Sequence, residues 1–303
     1  MAFTTQDVKN LRETTGCGMM DCKKALTETD GDMEKAIELL REKGLSKVAK
    51  KAGRIAAEGI VCAVQDKEKG TGVVIEVNSE TDFVGKNATF VQFVEDCAKT
   101  VLAENPADVD ALLACKLAGS GMTVDEALKE KIITIGENLK IRRFVRYEGC
   151  VETYVHGGGR IGVMVKFDVD GAPDGDKFTA YAKDIAMQVA ASSPTYLDKD
   201  SVPAETVAKE KEILTVQAMN EGKPQNIAEK MVMGRIAKFY KDVCLTEQPY
   251  IKDGDISVQK FTDNTGKELG VKIKIVDFVR FEKGEGLEKK EENFADEVAS
   301  MIK

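Results

Sequence analysis

The fold is decided by two similar stretches, Gly72-Val73-Val74-Ile75-Glu76-Val77 and Gly162-Val163-Met164-Val165-Lys166-Phe167. Both begin with glycine and continue as largely apolar runs that contain β-branched residues, a pattern that predicts buried strands. A further strand-like run precedes each of them across a short turn, at residues 67–72 in the first copy and at Gly157-Gly158-Gly159 in the second. The sequence therefore predicts a β-hairpin that occurs twice.

The duplicated unit extends beyond the hairpin. A helical pattern follows each copy, at residues 90–98 and 178–186, and each copy closes with a similar strand, Phe144-Val145-Arg146-Tyr147-Glu148 or Phe278-Val279-Arg280-Phe281-Glu282. Such a unit predicts a small antiparallel sheet of about three strands with helices on one face. The expected fold class is therefore α+β.

The residues before the duplication predict three short helices. Apolar residues recur at helical spacing over residues 7–14, 20–28 and 33–44, with glycine-containing turns between these segments. Three helices in so short a segment form a minimal bundle with a small core. We expect residues 47–53 to connect this bundle to the duplicated core.

Two further helical features complete the organisation. Residues 205–221 and 226–242 have helical spacing on either side of Gly222-Lys223-Pro224, which predicts an αα-hairpin inserted in the second copy. Residues 291–302 predict a last amphipathic helix. The expected units are the bundle and linker (1–54), the first core subdomain (55–147), the second core subdomain (148–202 and 243–283), the hairpin (203–242) and the C-terminal helix (284–303).

The charge balance limits the classes of partner. The chain has 303 residues, a formal charge of −8 and a pI near 5.1. An acidic surface argues against broad nucleic-acid binding, which depends on neutralising phosphates. The basic run at residues 47–54 leaves two alternatives, a solvated helix end or linker, or a local contact with RNA in a structural module. We expect no direct contact with nucleic acid.

Neither a membrane span nor a disulfide framework is expected. No apolar run approaches the roughly 18 residues that a membrane helix needs, and the first residues lack the pattern of a secretory leader. The seven cysteines are odd in number and irregularly spaced, as in proteins of a reducing compartment. We therefore predict a cytoplasmic protein.

The inventory of reactive side chains is poor. The only histidine, His156, would have to serve any nucleophilic or acid–base site, and its neighbours are Val155 and three glycines. The segment Gly157-Gly158-Gly159-Arg160 lacks the spacing of a phosphate-binding loop. Cys17 and Cys22 lack the second cysteine or histidine pair that zinc requires. We expect no enzyme activity, no catalytic residue, no metal and no cofactor, and an activity lost on His156→Ala would overturn that expectation.

One connection of the first copy is unusual. Between its second strand and its helix lies Thr81-Asp82-Phe83-Val84, whereas the second copy has an ordinary polar turn at residues 168–176. Phe83 could fold into its own core, with Asp82 capping the next helix. Alternatively, Phe83 could anchor in the pocket of a partner, with Asp82 placing a charge beside it.

Met19 and Met20 offer a similar choice. They follow the glycine turn of the N-terminal bundle. Methionine often fills gaps in a core, but exposed methionines also form adaptable contact surfaces. The sequence by itself leaves both alternatives open.

In the N-terminal bundle, around Phe83 and around His156, the sequence resembles the bacterial elongation factor Ts family. Three stretches carry the resemblance: residues 11–26, which include Gly16-Cys17-Gly18-Met19-Met20; residues 76–84, which include Thr81-Asp82-Phe83-Val84; and His156-Gly157-Gly158-Gly159-Arg160-Ile161-Gly162-Val163. Weaker similarity extends the match, in order, over essentially the whole chain. The resemblance implies a ubiquitin-associated-like N-terminal bundle, elongation factor Tu as partner, and release of GDP from that partner as activity.

The resemblance also implies roles for single residues. Asp82 and Phe83 would form a wedge that enters the nucleotide domain of the partner, and Thr81 to Val84 would dislodge its Mg²⁺. His156 would press near the partner's phosphate-binding loop. The expected contacts of the bundle with the nucleotide domain are Leu11, Arg12, Met19 and Met20. Independently of the resemblance, the apolar faces of the helical hairpin predict that residues 205–242 contact the partner or a second copy of this chain.

One position departs from the family pattern. Gly85 stands where the family usually has a small residue with a Cβ atom. Because glycine has more backbone freedom, we expect a more mobile tip at Asp82 and Phe83.

Overall fold

The structure is a computed structural model, and it describes residues 3–15, 17–172, 175–222 and 224–288. Within those ranges the chain forms α-helices and small antiparallel sheets. The α+β prediction is confirmed. The C-terminal helix predicted at residues 291–302 lies outside the described residues.

The N-terminal bundle consists of α1 (Thr5–Thr15), α2 (Met19–Glu28) and α3 (Met33–Lys51). Its core is formed by apolar side chains from all three helices, with Leu11, Leu26 and Ala36 fully buried. The Asp32 carboxylate caps α3 by accepting the backbone N–H of Lys35 at 3.1 Å.

The third helix is longer than its sequence predicted. The expected end at Gly44 is wrong, because α3 continues through it to Lys51 and includes most of the expected connector. Gly44 serves a different purpose: a Cβ there would lie 2.4 Å from Cδ1 of Ile133, so the missing side chain lets α3 approach α6 (Val124–Ile135) closely. Lys51 Nζ also donates to the carbonyl oxygen of Gly136, and the bundle is thereby held against the first core subdomain.

The first sheet contains β1 (Glu58–Asp66), β2 (Thr71–Ser79) and β3 (Lys140–Glu148), all antiparallel and in that order. One face is covered by α4 (Ala88–Glu104), α5 (Val109–Ala114) and α6. The central strand β2 is buried along its whole length, which is why its sequence reads as an apolar run.

The second sheet repeats this plan with β4 (Cys150–His156), β5 (Ile161–Asp170) and β8 (Lys272–Glu282), covered by α7 (Gly175–Ser192). The two copies agree in detail, because the pairing of the central strand with the last strand shifts between Glu76 and Val77 in one sheet and between Lys166 and Phe167 in the other. These positions correspond when Gly72 is aligned with Gly162, so the irregularity is duplicated together with the strand.

The two sheets pack face to face through Val61, Val74, Met164 and Phe281. The glycines that open the duplicated stretches make this approach possible. A Cβ at Gly162 would lie 2.3 Å from Cγ1 of Val61, and one at Gly72 would lie 2.7 Å from the sulfur of Met164. A side chain at either position would force the sheets apart.

The second copy carries a helical hairpin of α8 (Ala204–Asn220) and α9 (Gln225–Val243), joined internally by Leu214, Val232 and Ile236. Outside this small core several apolar side chains are exposed, among them Val216, Met219 and Met233. Three elements after the hairpin were not predicted: β6 (Pro249–Tyr250), β7 (Asp253–Ser257) and α10 (Val258–Leu269). Across the described ranges no helix is both long and apolar enough to span a bilayer.

Candidate partner-binding surface

The segment 80–86, here called the tip, projects beyond the end of the first sheet. Strand pairing ends where Glu58 lies opposite Ser79, and a short 3₁₀ turn at Val84–Lys86 leads into α4. The Phe83 side chain is 77% exposed, whereas that of Val84 is 5% exposed and packs into the core of the first sheet. Val84 therefore anchors the tip and Phe83 faces solvent.

The exposure of Phe83 decides whether its ring packs in its own core or faces outward. The alternative in which Phe83 folds into its own core is wrong. Asp82 does not cap the next helix either, because Asn87 does so by accepting the backbone N–H of Thr89 at 2.9 Å. Asp82 instead forms an exposed ion pair with Lys86 at 3.2 Å, a kind of pair that contributes little to stability.

The tip is braced by a loop between α6 and β3. The carboxylate of Glu137 accepts the backbone N–H groups of Glu80 and Thr81 at 3.0 and 2.9 Å and the hydroxyl of Thr81 at 2.6 Å. In return, the carboxylate of Glu80 accepts the backbone N–H of Asn138 at 2.6 Å. The two loops therefore hold each other by charge-assisted hydrogen bonds.

The tip and the histidine turn rest on the same part of β1. An ideal Cβ at Gly85 would lie 3.0 Å from the carbonyl oxygen of Gly59, and one at Gly159 would lie 2.9 Å from Cβ of Ile60. The backbone N–H of Val61 donates to the carbonyl of Gly159 at 2.8 Å. The first residues of β1 thus set the positions of both segments.

His156 lies at the exposed end of β4, just before the glycine turn. Its Nδ1 is 3.0 Å from the hydroxyl of Tyr154, and the neighbouring Val155 is 41% exposed. This contact orients the imidazole on the outside of the hairpin. Sheet packing therefore seats this hairpin and the tip, which are distant in sequence, against neighbouring residues of one strand.

The predicted contacts of the N-terminal bundle fall into two groups. Arg12, Met19 and Met20 are exposed, with Met20 at 63%, so the two methionines do not fill a core gap. Leu11 is completely buried in the bundle core. Its prediction as a direct contact is corrected: a side chain enclosed by three helices holds α1 in place and offers no surface to a partner.

The thiols of Cys17, Cys22 and Cys62 are buried or partly buried. Cys17 and Cys22 are buried beside each other, and Cys22 Sγ donates to the carbonyl of Cys17 at 3.7 Å. Burial raises the pKa of the Cys62 thiol to about 11, which disfavours its reactive thiolate. Among the described residues no group of three or more histidine, cysteine or carboxylate side chains is arranged to hold a metal ion.

Part of the basic run is paired with other residues of this chain at the surface. Lys51 bonds the carbonyl of Gly136, and Arg54 lies 3.5 Å from the carboxylate of Glu80. Lys50 is exposed. The run therefore contributes to the joint between the bundle and the first core subdomain, which lessens the case for an RNA contact.

Sequence reasoning missed three glutamates that hold this surface together: Glu76, Glu80 and Glu137. Glu76 is fully buried in β2 and bonds Arg142, Arg143 and the backbone N–H of Gly284. A carboxylate inside an apolar strand is a signal that could have been read, because buried charges require partners. Nothing in the local sequence indicates the bond between Glu137 and the tip, since the partners are more than fifty residues apart.

These features define a class of protein: a duplicated two-sheet α+β scaffold with an N-terminal three-helix bundle, which presents an acidic-aromatic tip on one sheet and a histidine hairpin on the other. The family model described as elongation factor TS matches residues 80–285. Proteins named elongation factor Ts are 51% identical over 303 residues in Clostridium botulinum, 54% over 302 residues in Clostridium perfringens and 52% over 304 residues in Clostridium kluyveri. Each match covers 99% of both chains. The chain belongs to the elongation factor Ts family, and the resemblance noted in the sequence is confirmed.

Proposed function

We propose that this chain is a guanine nucleotide exchange factor that binds elongation factor Tu in its GDP form, displaces Mg²⁺ and phosphate contacts, and promotes GDP release so that GTP can bind during translation elongation. Membership of the elongation factor Ts family supports this role. The main support for the mechanism is that the Phe83 ring is exposed on a tip that Val84 anchors and Glu137 braces. An exposed aromatic side chain on an anchored segment suits insertion into another protein.

In this proposal each exposed element has its own contact. Asp82 and Phe83 enter the nucleotide domain of elongation factor Tu as a wedge, and the segment from Thr81 to Val84 displaces the loop that holds Mg²⁺. His156 presses near the phosphate-binding loop. Arg12, Met19 and Met20 contact the nucleotide domain from the bundle, while Leu11 supports them from inside.

The energetic requirement is set by linkage. If binding of this chain weakens the hold of elongation factor Tu on GDP, then GDP weakens binding of this chain by the same factor. Mg²⁺ and phosphate contacts dominate nucleotide binding in such proteins, so a small displacement of the metal-bearing loop has a large effect. The chain performs no bond chemistry of its own in this scheme, needs no cofactor or nucleic acid, and acts in the cytoplasm.

The contribution of Phe83 follows from its exposure. Fully burying a phenylalanine side chain is worth roughly 1.5–3 kcal/mol. About three-quarters of that gain remains available on binding, because 77% of the side chain is exposed in the free chain. Phe83→Ala therefore removes about 2 kcal/mol, which corresponds to a roughly 30-fold slower release of GDP.

Displacement of fluorescent GDP from elongation factor Tu by excess unlabelled GDP measures this effect. Phe83→Ala should slow the release while thermal unfolding stays unchanged, because exposed substitutions shift stability by no more than about 0.5 kcal/mol. Ile251→Ala is a matched control, since Ile251 is an exposed apolar residue outside the proposed surface. Equal release rates for Phe83→Ala and the unaltered chain would remove Phe83 from the mechanism.

The exposed apolar side chains of the helical hairpin support a second contact, with the partner or with another copy of this chain. Deletion of residues 205–242 should weaken binding to elongation factor Tu or lower the mass of the isolated chain beyond the loss of the hairpin itself. Sedimentation of the deleted chain, alone and with elongation factor Tu, separates the two. If neither affinity nor association changes, the hairpin has no role in assembly.

A further inference from the structure

We propose that Glu137 is a positioning residue for nucleotide exchange: its carboxylate holds the tip in the orientation from which Phe83 acts. The inference rests on the proposed function and deepens it. Glu137 stands outside the tip, in the loop between α6 and β3, and its side chain reaches the tip by three hydrogen bonds.

Strand pairing does not hold the near side of the tip, at Glu80 and Thr81. β2 loses its strand partner after Ser79, so the backbone N–H groups of Glu80 and Thr81 have no ladder bonds to make. Free backbone donors in an exposed connection favour local motion. Glu137 Oε2 receives both of these donors, at 3.0 and 2.9 Å, and Oε1 receives the hydroxyl of Thr81 at 2.6 Å.

The loop of Glu137 is in turn held by the tip and by the bundle. The carboxylate of Glu80 accepts the backbone N–H of Asn138 at 2.6 Å, and the side-chain amide of Asn138 donates to the carbonyl of Arg54 at 2.8 Å. The loop of Glu137 is itself tied to the bundle, because Lys51 donates to the carbonyl of Gly136. The tip, this loop and the end of α3 therefore form one connected unit.

The two sides of the tip are held by different contacts. Val84 fixes the far side of the tip through the core of the first sheet, and the three bonds of Glu137 all go to the near side. Removing the carboxylate therefore frees the backbone N–H groups of Glu80 and Thr81 and the hydroxyl of Thr81, while the core of the sheet is untouched. Ordering that was present before binding must then be supplied during binding, which weakens the productive contact.

The test compares Glu137→Ala and Glu137→Gln with the unaltered chain in GDP release from elongation factor Tu, over a range of concentrations of this chain. Glu137→Ala should lower the rate at saturation about tenfold, with a smaller change in the half-saturating concentration, because the other contacts still form the complex. Glu137→Gln keeps one oxygen acceptor of nearly the same shape, so it should recover part of the lost rate. Glu130→Ala, an exposed glutamate on α6, is the matched control.

Two measurements exclude a general loss of structure. Amide hydrogen exchange at Glu80 and Thr81 should accelerate about tenfold or more in Glu137→Ala while the amides of β2 keep their protection. In a chain that already carries Phe83→Ala, adding Glu137→Ala should change the release rate by less than about twofold, because both substitutions act through one element.

The outcomes are distinguishable. If Phe83→Ala slows release but both Glu137 variants match the unaltered chain at saturation, the positioning role is overturned and the proposed function stands. If the effects of Glu137→Ala and Phe83→Ala multiply independently, Glu137 acts somewhere other than the tip and the inference is again overturned. If the unaltered chain itself does not release GDP, the proposed function fails first. Should Glu137→Ala unfold, the near-isosteric Glu137→Gln decides by the same criteria.

Discussion

Replacing Glu76 by glutamine should destabilise the joint between the two sheets and remove part of the acid sensitivity of the protein. The Glu76 side chain is 0% exposed. It accepts Arg143 Nε at 2.7 Å, Arg142 Nη1 at 3.1 Å, the amide of Asn78 at 3.0 Å and the backbone N–H of Gly284 at 2.8 Å. Since Gly284 follows β8, this carboxylate links the second copy to the first sheet.

The magnitude follows from what the substitution leaves behind. Glutamine keeps one acceptor but presents an amide N–H₂ to a site filled with donors. Removing one member of a buried ion pair costs about 3–5 kcal/mol. We expect about 3 kcal/mol, the lower end of that range, because the Arg142 and Arg143 side chains are 21% and 31% exposed and can recover water.

The contribution of Glu76 to the free energy of unfolding changes with pH in a defined direction. Burial raises the pKa of Glu76, but the N–H of Gly284, the amide of Asn78 and the guanidinium of Arg143 outweigh it, so the pKa is lowered below its ordinary value. A lowered pKa means that the ionised carboxylate stabilises the fold above its ordinary pKa of about 4.3 and loses this contribution as the pH falls through the folded-state pKa. The stability gap between the unaltered chain and Glu76→Gln should therefore shrink on acidification.

Urea unfolding followed by circular dichroism, at pH 7 and at successive steps below pH about 4.3, measures this gap. Glu148→Gln is the control, because Glu148 is an exposed glutamate at the end of β3 that also pairs with an arginine, and it should leave the neutral-pH midpoint nearly unchanged. The reasoning would be refuted by a Glu76→Gln chain as stable as the original at pH 7, or by a gap that stays constant through the acid range.

Two other substitutions test the local structure around the tip. Gly85→Ala lowers the entropy of the unfolded chain, which stabilises the fold by about 0.4–1 kcal/mol, but the new Cβ would lie 3.0 Å from the carbonyl oxygen of Gly59. We expect the two effects nearly to cancel, so that the thermal midpoint stays close to that of the unaltered chain. A gain in stability at the upper end of that range would mean that the contact with β1 is not tight. Thr123→Ala breaks the capping box of α6, in which the Thr123 hydroxyl accepts the N–H of Glu126 at 3.2 Å and the Glu126 carboxylate accepts the N–H of Thr123 at 2.9 Å. A loss of about 1 kcal/mol in urea unfolding is expected, and no loss would show that packing alone holds the start of α6.

Several glycines have a structural reason that their local sequence does not reveal. Gly44 has the local signature of a helix end, yet α3 continues through it, and Ile133 of α6 occupies the space that a side chain would take. Gly72 and Gly162 mark the duplicated strands in the sequence, but their reason lies across the interface, where Met164 and Val61 approach them. A glycine that permits close packing and a glycine that ends a helix look alike until the neighbouring element is known.

The short elements after the hairpin were missed for a related reason. α10 begins with a serine cap at Ser257, but much of its sequence is polar, and its buried face includes Thr262 and Gly266. The Thr262 hydroxyl tolerates burial because it accepts the hydroxyl of Tyr181 at 2.8 Å. Without that partner, a polar segment of this kind reads as a loop.

By itself the amino-acid sequence determined the duplication, the α+β class, the helical hairpin and the family. These features depend on the spacing of apolar residues and on repeated motifs, which can be recognised from residues close together in the chain. Only the tertiary structure decided that Phe83 is exposed while Leu11 is enclosed, and that Glu76, Glu80 and Glu137 form the joints of the surface. Hydrogen bonds and close contacts between segments far apart in the chain depend on how sheets and helices pack, and no local pattern records that geometry.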